Sequence, residues 1–242
     1  MCGDNQTDLK EFVKDVAVSQ LNTDPPYGVQ YSTKNDFVEA TLNSSLSVKE
    51  QYSYDELDRD FTELFNNIFK QIIFKYYNTI YIWCASNEHL FEIKKSLENN
   101  NITYSQLLVW LKNQFVPSRL DYLQRCEFCF YAWKGKHRFY SKTPDRTTVL
   151  EFNKPCANKL HPTMKPIEMI QQIIKDGTRE EEIVLDPFLG SGSTLIACEQ
   201  TNRICYGMEI DEHYCSIIIK RWELYTGMKA EKLTNSNEDV NN

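Results

Sequence analysis

The spacing of apolar residues along the chain switches repeatedly between helical and strand periods. Residues 54–77 repeat apolar side chains every three or four positions, which is helical spacing. Residues 79–84 are rich in aromatic and β-branched side chains, which is typical of a strand. The same reading predicts helices over 8–14, 88–99, 164–175 and 195–200, and strands over 16–23, 106–110, 127–133, 182–186 and 204–210. This alternation favours an α/β fold with a doubly wound sheet, which binds its ligand at the carboxyl ends of the strands.

Local signals place the helix starts, the loops and the domain limits. Asn87 is a predicted helix cap, and Pro166 is tolerable in the first turn of the helix that follows it. Residues 28–53 are polar and lack a pattern, so we expect a surface loop beside the active site. A chain of 242 residues without an internal repeat fits one domain, over residues 1–227, followed by a disordered tail over 228–242.

Composition adds three constraints. No apolar run is long enough to cross a bilayer and the start has no signal-peptide core, so we expect a cytoplasmic protein. Eight cysteines without framework spacing indicate reduced thiols. The net charge of −7 is unfavourable for DNA binding, but residues 112–146 are basic while residues 180–182 and the tail are acidic.

The segment Asp24-Pro25-Pro26-Tyr27 follows the predicted strand 16–23 and carries candidate chemistry. A carboxylate and a proline carbonyl both accept hydrogen bonds, and an aromatic ring stacks on planar groups, so the segment is suited to hold a planar amine. Taken alone, it is equally compatible with an ordinary turn closed by Gly28.

A second candidate site lies near the other end of the chain. The predicted strand 182–186 ends at Asp186 and leads through Phe188, Gly190 and Gly192 into a helix, an arrangement that lets backbone approach a cofactor closely. The next strand ends at Glu209, where an acid suits a ribose diol. Without further context, a solvated strand end is the simpler reading of Glu209.

Three segments in this order resemble the S-adenosylmethionine-dependent amino-methyltransferases of DNA, in their circularly permuted β class. They are Asp24-Pro-Pro-Tyr27, His161-Pro-Thr-Met-Lys-Pro166 and Asp186-Pro-Phe-Leu-Gly-Ser-Gly-Ser-Thr194. The similarity extends to residues 131–134 and 206–211, and so covers the chain up to about Gly227. It implies a Rossmann-like methyltransferase fold with a mixed, mostly parallel sheet of about seven strands, in which the catalytic motif precedes the cofactor motif.

The resemblance also implies roles for individual residues. The catalytic set is Asp24, Pro25, Pro26 and Tyr27. The set that binds S-adenosylmethionine is Asp4, Thr163, Lys165, Asp186, Phe188, Gly190, Gly192 and Glu209. The implied substrate is double-stranded DNA with a flipped base. Within the family, an aspartate at the position of Asp24 favours methylation of adenine N6 over cytosine N4.

The contacts to DNA are predicted from charge. We expect a DNA face formed by Arg119, Arg125, Lys136, Arg138 and Arg146, and a short target-recognition segment around residues 134–160. Because this surface is small, a homodimer or an auxiliary specificity subunit would supply the rest of the grip.

Other functions stay open at the level of sequence. The chain could be a catalytically silent nucleic-acid-binding subunit of the same fold, and RNA is a possible substrate. Pro155-Cys156 invites comparison with cytosine-carbon methyltransferases, although the following residues do not continue their pattern. Cys126, Cys129, Cys156 and His161 lack the paired spacing of a structural zinc site, so we expect no metal.

Overall fold

The computed structural model describes residues 1–26, 60–85, 87–115, 121–143, 145–153 and 164–233. Its helices are α1 (Leu9–Phe12), α2 (Phe61–Gln71), α3 (His89–Asn99), α4 (Ile167–Gly177), α5 (Ser193–Glu199) and α6 (Glu212–Thr226). Its strands are β1 (Ala17–Thr23), β2 (Ile73–Cys84), β3 (Thr103–Leu111), β4 (Cys126–Trp133), β5 (Lys136–His137), β6 (Val149–Glu151), β7 (Ile183–Asp186) and β8 (Ile204–Gly207). Among these residues no helix combines the length and apolarity needed to cross a membrane.

The strands form one mixed sheet in the order β6-β3-β4-β2-β1-β7-β8, with β5 paired to β2. Strand β4 runs antiparallel to both β2 and β3, and the other pairs are parallel. The predicted α/β fold with a mixed, mostly parallel sheet is therefore confirmed. The described part holds eight strands rather than about seven, because the short strands β5 and β6 carry too few residues to show a period.

Strands β1, β2, β7 and β8 are mutually parallel, so their carboxyl ends meet at one edge of the sheet. We call this the carboxyl edge, marked by Thr23, Cys84, Asp186 and Gly207, and the opposite edge the amino edge. Strand order reverses beside β1, since β2 lies on one side of it and β7 on the other. Doubly wound sheets bind ligands at such a switch point, outside the carboxyl ends of the strands.

Helices cover both faces of the sheet. Alternate residues of β2 face opposite ways: Ile80 and Ile82 pack with α1, α2 and α3, whereas Tyr81 and Trp83 pack with α4 and α5. Burial on both faces explains why β2 is continuously apolar from Ile80 to Cys84. Residues of β4 and β7 divide between the same two clusters, so the central strands are held rigidly beneath the carboxyl edge.

Two local predictions are wrong. The helix predicted over 54–77 ends at Gln71, because residues from Ile73 onward pair with β1 and the sheet overrides their helical spacing; residues 54–59 lie outside the described part. The predicted cap Asn87 does not cap α3, whose N-cap residue is Glu88 and lacks a capping hydrogen bond. The predicted loop 28–53 also lies outside the described part. In the predicted tail, residues 228–233 contain no helix or strand, and the rest is not described.

Candidate active site

Asp24 lies at the carboxyl edge, directly after the last residue of β1. Pro25 and Pro26 follow it, and Tyr27 falls outside the described residues. The strand that carries Asp24 is buried from Val18 to Thr23, so its backbone is fixed by pairing on both sides. About a third of the Asp24 side chain, 34%, is exposed. The Asp24 backbone is thus held by a buried strand, while its carboxylate is accessible to a substrate.

A chain of alternating charges leads to Asp24. Lys165 donates from Nζ to Asp24 Oδ2 and lies 3.3 Å from Glu127 Oε2. Lys112 Nζ donates to Glu127 Oε1 at 2.5 Å. We call these four residues the lysine–carboxylate chain. They come from four places in the sequence, and they meet because β4 is antiparallel and therefore begins at the edge where β1 and β3 end.

Burial makes this pairing strong. Only 8% of the Lys165 side chain is exposed, and its ammonium lies 4.9 Å from the centre of the Trp83 ring. Burial alone would lower the pKa of Lys165, but Asp24 and Glu127 outweigh it and hold that pKa well above its usual value. Burial alone would raise the pKa of Glu127, but Lys165 and Lys112 lower it. Lys165 and Glu127 are therefore both charged at neutral pH.

Sequence reasoning missed Glu127. Its signal was a charged residue near the start of an otherwise apolar strand, Cys126–Trp133, where a buried charge needs partners. Lys112 is similar, since it follows the apolar second half of β3 and is itself 6% exposed. Only the antiparallel pairing of β3 and β4 brings the two together.

Asp186 ends β7 next to the Asp24 site. Its carboxylate accepts hydrogen bonds from the Thr194 hydroxyl at 2.7 Å and from the Phe188 N–H at 3.1 Å. Burial is the main cause that raises the pKa of Asp186 to about 7, and the negative charge of Asp24 adds to it. The two hydrogen bonds partly oppose that rise. They also fix the start of the turn that runs from Phe188 to Gly192.

Two glycines shape this turn. Gly190 has φ +53° and Gly192 has φ +78°, the left-handed region that glycine enters without strain. A Cβ on Gly192 would lie 3.1 Å from Ile218 of α6, so the turn packs tightly on that helix. A Cβ on Gly190 would come no nearer than 3.9 Å to Phe188 O, so the turn opens toward space at this point. Helix α6, which sequence reasoning did not predict, supports the turn further because Arg221 donates to Ser191 O.

Glu209 lies two residues beyond β8 and is tied to the turn. Its carboxylate accepts from the backbone N–H of Gly190 at 2.8 Å, of Ile210 at 3.0 Å and of Asp211 at 3.1 Å. Burial raises the pKa of Glu209, and these hydrogen bonds oppose the rise. The carboxylate therefore joins the ends of two neighbouring strands.

The start of the chain is brought to the same place. Cys2 forms a parallel bridge with Glu209, and Gly3 N–H donates to Glu209 O at 2.9 Å. Asp4 therefore lies near the turn, where it accepts from Gln6 N–H, while Asn5 donates to Pro187 O. The structure thus brings three separate parts of the chain together, namely the chain start with Asp4, the turn with Phe188, Gly190 and Gly192, and Glu209. Their cofactor roles stay predictions, and Thr163 lies outside the described residues.

Of the five residues predicted to face DNA, the four that the structure describes lie at two different edges of the sheet. Arg125 lies at the carboxyl edge, before β4, and donates to Lys112 O. Lys136, in β5, pairs beside the first half of β2, toward the amino edge. Arg138 forms a 2.6 Å pair with Glu182, and Arg146 forms a 2.8 Å pair with Asp176, both at the amino edge. Arg119 lies outside the described residues. This division weighs against a single DNA face made of these side chains.

No cluster of three or more metal-ligating side chains occurs within the described ranges. Cys126 and Cys129 both belong to β4, and Cys156 and His161 are outside those ranges. The seven cysteines that are described carry free thiols.

Comparison with known proteins finds relatives along most of the chain. The sequence model of the family N6_N4_Mtase, described as DNA methylase, matches residues 18–220. The Type II methyltransferase M.BglII of Bacillus subtilis is 43% identical over 58 residues, which cover 24% of this chain and 16% of that protein. That match therefore spans less than two thirds of the relative's length.

Solved structures match over nearly the full length of the chain. The complex of M1.HpyAVI with SAM is 25% identical with a TM-score of 0.66, covering 91% of this chain and 98% of that one. The PvuII DNA methyltransferase, described as cytosine-N4-specific, is 14% identical with a TM-score of 0.69, covering 91% and 84%. The second likeness is evidence for the fold alone.

Proposed function

Because the chain belongs to the DNA methylase family N6_N4_Mtase, we propose that it transfers a methyl group from S-adenosylmethionine to the exocyclic amine of a flipped DNA base. One observation carries the proposal. Asp24 at the end of β1 lies beside the glycine turn at the end of β7, at the switch point where a doubly wound sheet binds its ligands. An amine held by Asp24 is therefore close to the place expected for a cofactor.

The residues at the carboxyl edge fit this cofactor by their chemistry. A carboxylate accepts about four hydrogen bonds, and Glu209 already accepts three, so it retains capacity for a ribose hydroxyl. The space in front of Gly190 gives a ligand access to the turn. Asp4, Asp186, Phe188 and Gly192 complete the proposed binding set. Lys165 was expected at the methionine carboxylate, but its ammonium engages Asp24 and Glu127 in this structure.

The proposed mechanism needs positioning more than acid or base catalysis. S-adenosylmethionine supplies an electrophilic methyl group on a sulfonium, and a neutral thioether leaves. Asp24 and the Pro25 carbonyl accept the amine hydrogens, which draws the nitrogen toward tetrahedral geometry and frees its lone pair for in-line attack. The nitrogen gains the new N–C bond as the S–CH3 bond breaks, and it then loses one proton to solvent by way of the partly exposed Asp24 carboxylate. Tyr27 is assigned to stack on the flipped base.

Adenine N6 is the favoured target, because the first residue of the segment Asp24-Pro25-Pro26-Tyr27 is an aspartate. Cytosine N4 is the alternative, and the fold shared with a cytosine-N4-specific enzyme keeps it open. Both amines are attached to aromatic rings and both donate two hydrogens, so the same acceptors serve either base.

The proposed DNA-binding surface is formed by more than one subunit. The net charge is −7, and among the described members of the predicted DNA face only Arg125 lies at the carboxyl edge. Phosphate contacts dominate affinity for DNA, so a second subunit, most simply another copy, supplies part of the cationic surface. The segment 134–160 is retained as the proposed target-recognition segment.

Nucleoside mass spectrometry tests the function directly. Unmethylated genomic DNA is incubated with the protein and S-adenosylmethionine, digested, and analysed for methylated nucleosides. We expect N6-methyladenine from the wild type, none from Asp24→Ala, and the wild-type amount from Glu98→Ala, a control carboxylate that is exposed near the end of α3 and belongs to none of the proposed sites.

Other results reassign the function. N4-methylcytosine would establish the alternative base. Binding of S-adenosylmethionine without any methylated nucleoside would indicate a catalytically silent subunit. Methylation by Asp24→Ala within a few-fold of wild type would remove the amine-holding role of Asp24.

A further inference from the structure

Resting on the proposed function, we propose that Glu127 is a positioning residue: clamped by Lys112, it holds Lys165 against Asp24 and so sets the direction of the carboxylate offered to the substrate amine. The structure shows a continuous set of contacts in that order, from Lys112 to Glu127 to Lys165 to Asp24. Glu127 acts on Asp24 through Lys165, which makes it a positioning residue and not a catalytic one.

The first step concerns Lys165, which is the link between the two carboxylates. A lysine ammonium sits on a flexible four-carbon stem and has three donors, so contacts on several sides are needed to fix it. Here Asp24 and Glu127 supply two acceptors and the Trp83 ring lies 4.9 Å away. Trp83 is itself fixed, since its indole N–H donates to Asn22 of β1 at 3.2 Å.

The second step concerns charge balance. Two ammonium groups face two carboxylates, with the signs alternating along the chain, and the Lys165 and Lys112 side chains are almost fully buried. Removing the charge of Glu127 would leave two buried cations and a single carboxylate, Asp24. Lys165 would lose one of its two anchors, and Lys112 would lose the partner that Glu127 provides.

The third step connects this pairing to the amine. Lys165 donates to Oδ2 of Asp24, and a carboxylate accepts about four hydrogen bonds in defined directions. Contact with Lys165 is therefore compatible with acceptance from an amine, and it restricts rotation of the carboxylate. Small displacements of a positioned group are costly in a reaction that depends on in-line geometry.

The test is the variant Glu127→Gln, which keeps the shape of the side chain and removes its charge. In single-turnover methyl transfer at saturating DNA and cofactor, we expect a rate lower by about 10- to 100-fold. Affinity for S-adenosylmethionine, measured by calorimetry, should stay within about twofold, because Glu127 contacts neither Glu209 nor the turn 188–192, and Lys165 is engaged by Asp24. Glu127→Asp, which keeps the charge, should recover part of the rate.

Glu182→Gln is the matched control. Glu182 is also a partly buried carboxylate with two cationic partners, Arg138 and Lys75, but it lies at the amino edge. We expect its methyl-transfer rate to equal that of the wild type at a temperature where both are folded. Equal losses in the two variants would mean that the rate follows general stability, which would overturn the proposal.

A double-mutant cycle separates positioning from other effects. In an Asp24→Asn background, Glu127→Gln should lower the residual rate by less than about twofold, because the carboxylate that Glu127 orients is already absent. A full additional loss in that background would overturn the proposal, as would a wild-type rate in Glu127→Gln alone.

A crystal structure of Glu127→Gln keeps the inference testable even without activity. If the wild type yields no methylated nucleoside, the proposed function fails, while the structure still decides the role of Glu127. We expect Lys165 and the Asp24 carboxylate to shift or to adopt more than one conformer. A single, unchanged contact between them would overturn the inference.

Discussion

A carboxylate lies at each end of strand β7, and the pKa values of the two are shifted in opposite directions. Glu182 precedes the strand at the amino edge, where a hydrogen bond from the Arg179 N–H and the charges of Arg138 and Lys75 outweigh its partial burial and lower its pKa. Asp186 ends the strand at the carboxyl edge, where burial raises its pKa to about 7 and its hydrogen-bond donors are the neutral Thr194 hydroxyl and Phe188 N–H.

This difference indicates that the carboxylate at the amino edge contributes to stability, whereas the one at the carboxyl edge lies where a ligand is expected. An acid that is paired with cations contributes to stability, whereas an acid that is buried beside another acid costs stability. Strongly shifted pKa values of this kind cluster at sites where ligands bind. The comparison also explains why the basic residues near Glu182 contribute little positive charge to a DNA surface. Each prediction below tests one side of this contrast.

The largest effect is expected for cofactor affinity at the carboxyl edge. Glu209→Ala should weaken S-adenosylmethionine binding by about 10- to 100-fold, because an acceptor for the ribose is lost. Gly190→Val should weaken it at least as much, because a branched side chain would fill the space in front of the turn. Calorimetry measures both.

Gly227→Val is the control for the glycine variant. Gly227 also has a positive φ, +73°, but an added Cβ would meet nothing within 4 Å. Both valine variants therefore carry backbone strain, and only Gly190→Val should lose cofactor affinity. Unchanged affinity in Gly190→Val and Glu209→Ala would move the cofactor site elsewhere.

The next largest effect is the pH dependence of stability. Asp186 has a pKa raised from its ordinary value of 3.8 to about 7, so the native state holds its proton more tightly than the unfolded state. The free energy of unfolding should therefore fall by about 2 kcal/mol, through this group, as pH rises from about 5 to 7. Asp186→Asn should flatten that slope in urea titrations. An unchanged slope would show that Asp186 does not titrate in this range.

A smaller effect of opposite sign is expected at the amino edge. The pKa of Glu182 is lowered, so its stabilisation is present above its ordinary value of 4.5 and is lost as pH falls through the lower, folded value. Glu182→Gln should cost about 1 kcal/mol at neutral pH, and less in acid. Urea denaturation at both pH values measures it. A loss that is independent of pH would contradict the role of the ion pairs.

The smallest effect concerns DNA binding. Arg125→Glu, at the carboxyl edge, should weaken DNA binding by a few-fold and lower the salt slope by about 1. Lys136→Glu, toward the amino edge, should have less effect on both quantities. Fluorescence anisotropy across a salt series would compare them. A larger effect at Lys136 would restore the DNA face that charge alone predicts.

Many of the helices and strands were predicted correctly from the local spacing of apolar residues. Helices near 9–12, 89–99 and 193–199 and the strands β1, β4 and β7 follow from apolar spacing and turn residues, because burial of a face imposes a period. The end of α2 was not readable, since helical spacing continues into residues that pair with β1. Strand β6 and helix α6 were also missed: three residues show no period, and α6 has only one buried apolar residue, Ile218.

Local sequence patterns were sufficient to predict the fold class and the order of the two motifs, because Asp24 and the glycine turn both stand at the ends of predicted strands. Which distant charges meet depends on the three-dimensional fold. The antiparallel β4 brings Glu127 to Lys112 and Lys165, and Cys2 and Gly3 tie the chain start to Glu209. It also paired Arg138 and Arg146 within the molecule. Pairing between segments far apart in the chain depends on sheet order and direction, which no local spacing encodes.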